Sequence, residues 1–160
     1  MIGAWLRDRP RLLETAYRIT RRIIVTARPL FARLGWKRAD RWLRGPEEVA
    51  KRLIFDCRMC GQCILHSTGM TCPMTCPKNL RNGPCGGVRA DGHCEVIPEM
   101  RCIWVEAWER SQRMGKYSGE ILLLQPPVDR RLEGMSAWVN MLTGADAIPP
   151  AGWGTSSGTD

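Results

Sequence analysis

Apolar residues recur at spacings of three and four from Pro10 onward, at Leu12, Leu13, Ala16, Tyr17, Ile23, Ile24 and Ala27, and therefore share one helical face. Arg11, Glu14, Arg18, Arg21, Arg22 and Arg28 fall mainly on the other face. Asp8 ahead of Pro10 suits a helix start and Pro29 ends or kinks the helix near Arg28, so the pattern predicts an amphipathic helix over residues 9–28. Phe31, Leu34, Trp36, Trp42 and Leu43 predict further helix, broken at Gly35 and again at Gly45 and Pro46. Pro46, Glu47 and Glu48 then open a short helix to Phe55. Downstream, Pro98 and Glu99 mark another start, and Met100, Ile103, Trp104, Ala107 and Trp108 continue at helical spacing to Met114. From Thr143 a Gly/Pro/Ser/Thr-rich end predicts an extended or disordered tail.

The segment between the two helical regions obeys no such period. From Cys57 to Cys102 it holds all eight cysteines, six glycines and four prolines, which leaves no room for long helices or strands. It also has few large aliphatic side chains to organise a core of its own, so metal binding is expected to contribute folding energy. The predicted fold is mainly α with a long irregular cysteine-rich, cluster-stapled segment: a small metal-dependent domain with N-terminal amphipathic helices. Its expected parts are a basic amphipathic helical arm (1–45), a cysteine-rich metal-binding domain with flanking helices (46–142) and the tail (143–160).

Length sharpens this picture, because 160 residues suit one domain and leave no space for a second full-sized catalytic one. The longest aliphatic run, Ile121 to Leu124, is far below the roughly 18 apolar residues of a membrane span. Arg7, Arg9 and Arg11 break any signal-peptide core, so the expected location is cytoplasmic, where thiols stay reduced and metal binding outranks disulfides. The net charge of +8 is uneven: residues 1–45 carry twelve Lys/Arg against three acids, residues 46–160 twelve against thirteen. An arm of +9 suits peripheral membrane contact at an anionic lipid surface, docking onto a partner or second copy, or packing of its apolar face on the chain's own body. Nucleic acid is disfavoured, because the basic residues concentrate outside the cysteine segment that would have to present them.

The cysteine spacing narrows the chemistry. Cys57, Cys60 and Cys63 form C-x2-C-x2-C, and Cys72 and Cys76 each precede a proline. A tetrahedral zinc site is usually assembled from two separated CxxC pairs, whereas three thiolates from one tight loop plus a remote cysteine before proline is the ferredoxin habit. With Cys85, Cys94 and Cys102 the count is eight, which allows two 4Fe–4S clusters, or one cluster plus zinc. Cys57, Cys60 and Cys63 should share a centre, with Cys76 or Cys72 as fourth ligand. Gly61, Gly83, Gly86 and Gly87 either bring bare N–H groups to cluster sulfurs or simply make turns. Met59, Met70 and Met74 either wrap the cluster or fill gaps. The two histidines, His66 and His93, are expected to be solvated or hydrogen-bonded rather than ligands. Trp104, Trp108 and Trp138 either pack over the clusters or form a docking surface. With no Ser/His/Asp group, P-loop or GxGxxG, catalysis by this chain's side chains alone is not expected.

The ordered cysteines, the CPK step from Cys76 to Lys78, the GPCGG turn from Gly83 to Gly87, the CIW start at Cys102 and the closing stretch from Pro126 to Leu142 together resemble the C-terminal domain family of methylenetetrahydrofolate reductases. The resemblance covers roughly residues 50–150 and leaves out the basic arm. A free-standing chain of this kind resembles the small subunit of acetogen-type enzymes. The resemblance implies an iron–sulfur electron-transfer subunit that is non-catalytic alone, with all eight cysteines as ligands. It also implies a TIM-barrel partner subunit that carries the flavin, and a low-potential electron carrier such as a ferredoxin. Iron–sulfur and zinc both remain open for the metal; a zinc-stabilised interaction module, contacting nucleic acid through the arm, is the competing function.

Overall fold

Proline and glycine positions divide the N-terminal third into successive helices. The computed structural model describes residues 2–149. Helix α1 spans Ile2–Arg7, and α2 spans Pro10–Thr26 with Pro10 in its first turn, where a missing N–H is harmless. Ala27 closes α2, and α3 (Arg28–Leu34) restarts at once with Pro29 in its own first turn, so the predicted kink falls where Pro29 dictates. Gly35, at φ 90, ends α3 in a conformation other residues rarely adopt.

The predicted break at Gly45 and Pro46 does not occur: α4 runs unbroken from Trp36 to Phe55 with Pro46 inside it. Tertiary contacts on both sides of the proline explain this. The Ser136 backbone N–H donates to Asp40 Oδ1 (2.7 Å) and its hydroxyl to Glu47 Oε2 (2.6 Å), so one residue clamps the turns before and after Pro46. The boundary drawn between residues 45 and 46 therefore lies within a single helix.

Two short 3-10 turns, Leu65–Thr68 and Pro73–Thr75, are the regular structure of the first half of the cysteine segment. Helix α5 covers Ile103–Ser111 and starts later than Pro98 predicted. Residues 92–102 are held as a loop instead, by an isolated bridge between His93 and Arg101 and by the N–H groups of Cys94 and Cys102 donating to Met100 and Gly92 carbonyls. Further 3-10 turns at Ser118–Leu122 and Arg130–Leu132 lead to α6 (Ala137–Thr143), capped by the Ser136 side chain. Within the stretch assigned to the tail, Ala145–Ala147 forms another 3-10 turn, and the Asp146 carbonyl accepts from Gln62 Nε2. Residues 150–160 lie outside the described residues. The fold is mainly helical, with no strand among the described residues, and no helix there is long and apolar enough to cross a membrane.

The core lies beneath the cysteine segment and is shared with the arm. Leu13 from α2 packs with Leu65, Met70, Cys72, Met74 and Met114. The expectation that no hydrophobic core organises this segment is corrected for its first half: Leu65, Met70, Cys72 and Met74 are buried together with Leu13 and Met114, whereas Val96 and Ile97 in the second half are exposed. Glu14 locks the arm down. Its buried carboxylate accepts backbone N–H groups of Gly115 (2.8 Å), Lys116 (2.7 Å) and Tyr117 (3.0 Å). The arm's inward face is therefore part of the body.

Candidate metal centre

Helix α4 stops at Asp56, which adopts the left-handed conformation (φ 52) and turns the chain into Cys57. Met59 (φ 49) and Met70 (φ 55) adopt it too, one residue before Cys60 and two before Cys72. Left-handed backbone in a side-chain-bearing residue stores about 1–3 kcal/mol and persists where surrounding structure enforces it. Here it folds the chain so that Cys57, Cys60, Cys63 and Cys72 line one cavity. Cys72 is therefore the fourth thiol gathered with the triple motif, and Cys76 lies outside this cavity.

One of the four sulfurs, that of Cys57, accepts hydrogen bonds, whereas the Cys60 thiol donates to the Gln62 carbonyl (3.6 Å). Met59 N–H donates to Cys57 Sγ (3.3 Å), as backbone amides do to cluster sulfurs. A hydrogen bond from Cys72, aided by that amide and by Lys51, lowers the Cys57 thiol pKa to about 6 against the opposing effect of burial. Cys72, sharing that hydrogen bond and buried, is pushed up, and burial raises Cys60 as well.

Two buried cations complete the wall: Lys51 and Arg81. Burial alone would lower the Lys51 pKa, but Cys63 and Glu47 reverse this and keep the ammonium charged, with Glu47 Oε1 at 2.5 Å. Arg81 donates through both terminal nitrogens to the Gln62 carbonyl (3.2 Å each), while its Nε is buried with no hydrogen-bond partner. Gln62 itself is a hub: its side-chain oxygen accepts the Asp129 N–H at 2.7 Å. Four thiols, two buried cations and an unpartnered guanidinium N–H fit a negatively charged metal–thiolate centre. Cys57, Cys60, Cys63 and Cys72 would hold it. Among the described residues no group of three or more His, Cys, Asp or Glu side chains stands at metal-ligand spacing: the four thiols share one cavity lining without converging on a point.

The other predicted residues are more dispersed. Cys85 is exposed; its sulfur accepts the Gly87 N–H (3.4 Å) and lies beside Glu95, which pairs with Lys78. Cys76, Cys94 and Cys102 are half-buried. Gly87 thus has the amide-to-sulfur contact, whereas Gly83 and Gly86 have positive φ with open space around them, as turn glycines do. Gly61 lines the cavity but is packed on its far side: a Cβ there would overlap the Leu132 carbonyl, and its own carbonyl accepts from Asn140 Nδ2 (2.9 Å). Met59, Met70 and Met74 are all buried, Met59 and Met74 against the cavity. His66 contacts Glu120 (2.6 Å), and the His93 backbone N–H donates to Asp91 (3.0 Å). Trp104 is buried, Trp138 stacks on Tyr17 (5.5 Å between centroids), and Trp108 alone of the three is exposed. The sequence reading missed Glu47, Lys51, Gln62, Arg81 and Asn140. A cation at Lys51 one turn after Glu47 was the only local signal available.

No curated protein and no solved structure matches the chain. The family model described as methylene-tetrahydrofolate reductase C terminal matches residues 36–131, which begins at the first residue of α4 and contains every cysteine. With that match spanning more than half of its length, the chain belongs to the methylenetetrahydrofolate reductase C-terminal family.

Proposed function

We propose that this chain is the iron–sulfur electron-transfer subunit of a methylenetetrahydrofolate reductase. It passes electrons between a low-potential carrier such as a ferredoxin and the flavin of a TIM-barrel partner subunit, in the interconversion of 5,10-methylene- and 5-methyl-tetrahydrofolate. The observation that carries this reading is the shared cavity of Cys57, Cys60, Cys63 and Cys72, walled by Lys51 and Arg81, in a chain of this family. A 4Fe–4S cluster held there supplies one-electron transfer. The chain's own residues bind it, donate N–H to sulfur at Cys57 and supply positive charge beside the thiolates. Cys76, Cys85, Cys94 and Cys102 are the ligand types left for a second cluster.

The test separates the subunits. This chain alone is expected to show no folate reductase activity, to co-purify with a flavin-containing subunit and to let that subunit accept electrons from a low-potential donor. Full activity of the flavoprotein with the same donor, unchanged by adding this chain, contradicts the electron-transfer role.

We also infer, among the alternatives for the arm, a contact with anionic lipid, supported by exposed apolar side chains on its helices. Leu12, Ile19 and Ile23 on α2, and Trp42, Val49 and Leu53 on α4, are exposed and repeat the same spacing of seven then four, which places each set on one helical stripe. The α2 stripe lies within the arm of charge +9 (residues 1–45), a combination that suits anionic lipid, whereas Val49 and Leu53 lie beyond that arm. Flotation with phosphatidylserine vesicles but not phosphatidylcholine vesicles is expected; equal behaviour with both removes the proposal.

A further inference from the structure

Two buried cations face the four thiols, and their own pairing differs. Lys51 is neutralised by Glu47 at 2.5 Å. Arg81 is only 8% exposed, yet among the described residues it forms no ion pair with a carboxylate. Its terminal nitrogens meet one neutral acceptor, the Gln62 carbonyl, and its Nε meets none. Asp146 feels its charge but stands beyond ion-pair distance. Burying a guanidinium without counter-charge is unfavourable by several kcal/mol, so the structure calls for an anion at this position. The groups there are the sulfurs of Cys60, Cys63 and Cys72, which line the same cavity; burial lowers the Arg81 pKa on balance, and these sulfurs oppose that lowering.

We propose that Arg81 is the fixed counter-cation of the four-thiolate centre and, as a positioning residue, raises the reduction potential of the cluster held there. This rests on the iron–sulfur reading above. One-electron reduction adds a negative charge to a centre surrounded by low-polarity protein, so a fixed positive charge stabilises the reduced form more than the oxidised form. Removing the charge makes reduction harder. The effect requires a charge in this place rather than the fork-shaped contact to Gln62, and this distinguishes it from a structural role.

The experiment uses the full chain, purified anaerobically with its cluster, in wild-type, Arg81→Met and Arg81→Lys forms. Iron and acid-labile sulfide are measured first. The reduction midpoint is then followed by visible absorption and electron paramagnetic resonance during titration with dithionite. Arg81→Met is expected to disfavour reduction by at least about tenfold, a shift of about 59 mV to lower potential for one electron. Arg81→Lys is expected to stay near wild type. If Arg81→Met fails to load a cluster and Arg81→Lys loads one, the charge is needed for assembly, as the same argument requires. An unchanged midpoint in loaded Arg81→Met, equal shifts in both variants, or failure of both to load overturns the counter-cation. Stoichiometric zinc in the wild-type chain, without sulfide, instead overturns the iron–sulfur reading itself and the potential-setting role with it.

Discussion

Gly61 and Gly86 both have positive φ, yet only Gly61 is hemmed in, by the Leu132 carbonyl and the Asn140 side chain. Gly61→Ala should therefore destabilise the chain by more than the roughly 1 kcal/mol of backbone strain expected for Gly86→Ala, and denaturant unfolding of the two variants measures the difference. Equal losses would show that the Leu132 contact is not rigid. Glu14 makes a second prediction. Burial would raise its pKa, but the three backbone N–H groups of Gly115, Tyr117 and Lys116 outweigh this and the carboxyl is held below its usual 4.5. A carboxylate with a lowered folded-state pKa adds stability above its unfolded pKa and loses it as pH falls through the folded value. Unfolding free energies of wild type and Glu14→Gln should thus differ by about 1–3 kcal/mol at neutral pH and converge well below pH 4.5. Constant separation at every pH would assign the effect to packing. At this scale the sequence disclosed chemistry through residue type, which is how the eight cysteines could be named. It did not disclose Gln62, Arg81 or Glu14, whose significance comes from partners 19 or more residues away.

Helix α2 was legible because an amphipathic period and a proline at each end are local signals. The continuity of α4 was not: Pro46 argues for a break, and the clamp that prevents one is Ser136, far along the chain. The late start of α5 has the same origin, since the bridge between His93 and Arg101 competes for the residues that Pro98 would otherwise place in a helix. The arm gives this scale its prediction. If α2 is a structural element of the body, Leu13→Ala should cost about 2–5 kcal/mol, whereas Ile19→Ala on the exposed side should stay within about 0.5 kcal/mol. Thermal unfolding decides; a negligible effect of Leu13→Ala would make the arm a detachable appendage.

Across the whole molecule, the four-thiol cavity is where helix, loop and core meet. α4 supplies Glu47 and Lys51, the loop after it supplies Cys57, Cys60 and Cys63, and Cys72 belongs to both the cavity and the hydrophobic core. The sequence left Cys72 and Cys76 as alternatives for the fourth thiol because both precede proline, and only the turn around Met70 distinguishes them. Cys72→Ser should accordingly lose the centre built on the triple motif and destabilise the fold, while Cys76→Ser should retain that centre; iron and sulfide content per chain, with unfolding, reports both. The most direct measurement of the central claim is iron, acid-labile sulfide and visible absorption of the anaerobically purified chain before and after dithionite. The account predicts a brown protein with matching iron and sulfide whose absorption bleaches on reduction. A colourless protein with stoichiometric zinc and no sulfide would contradict it.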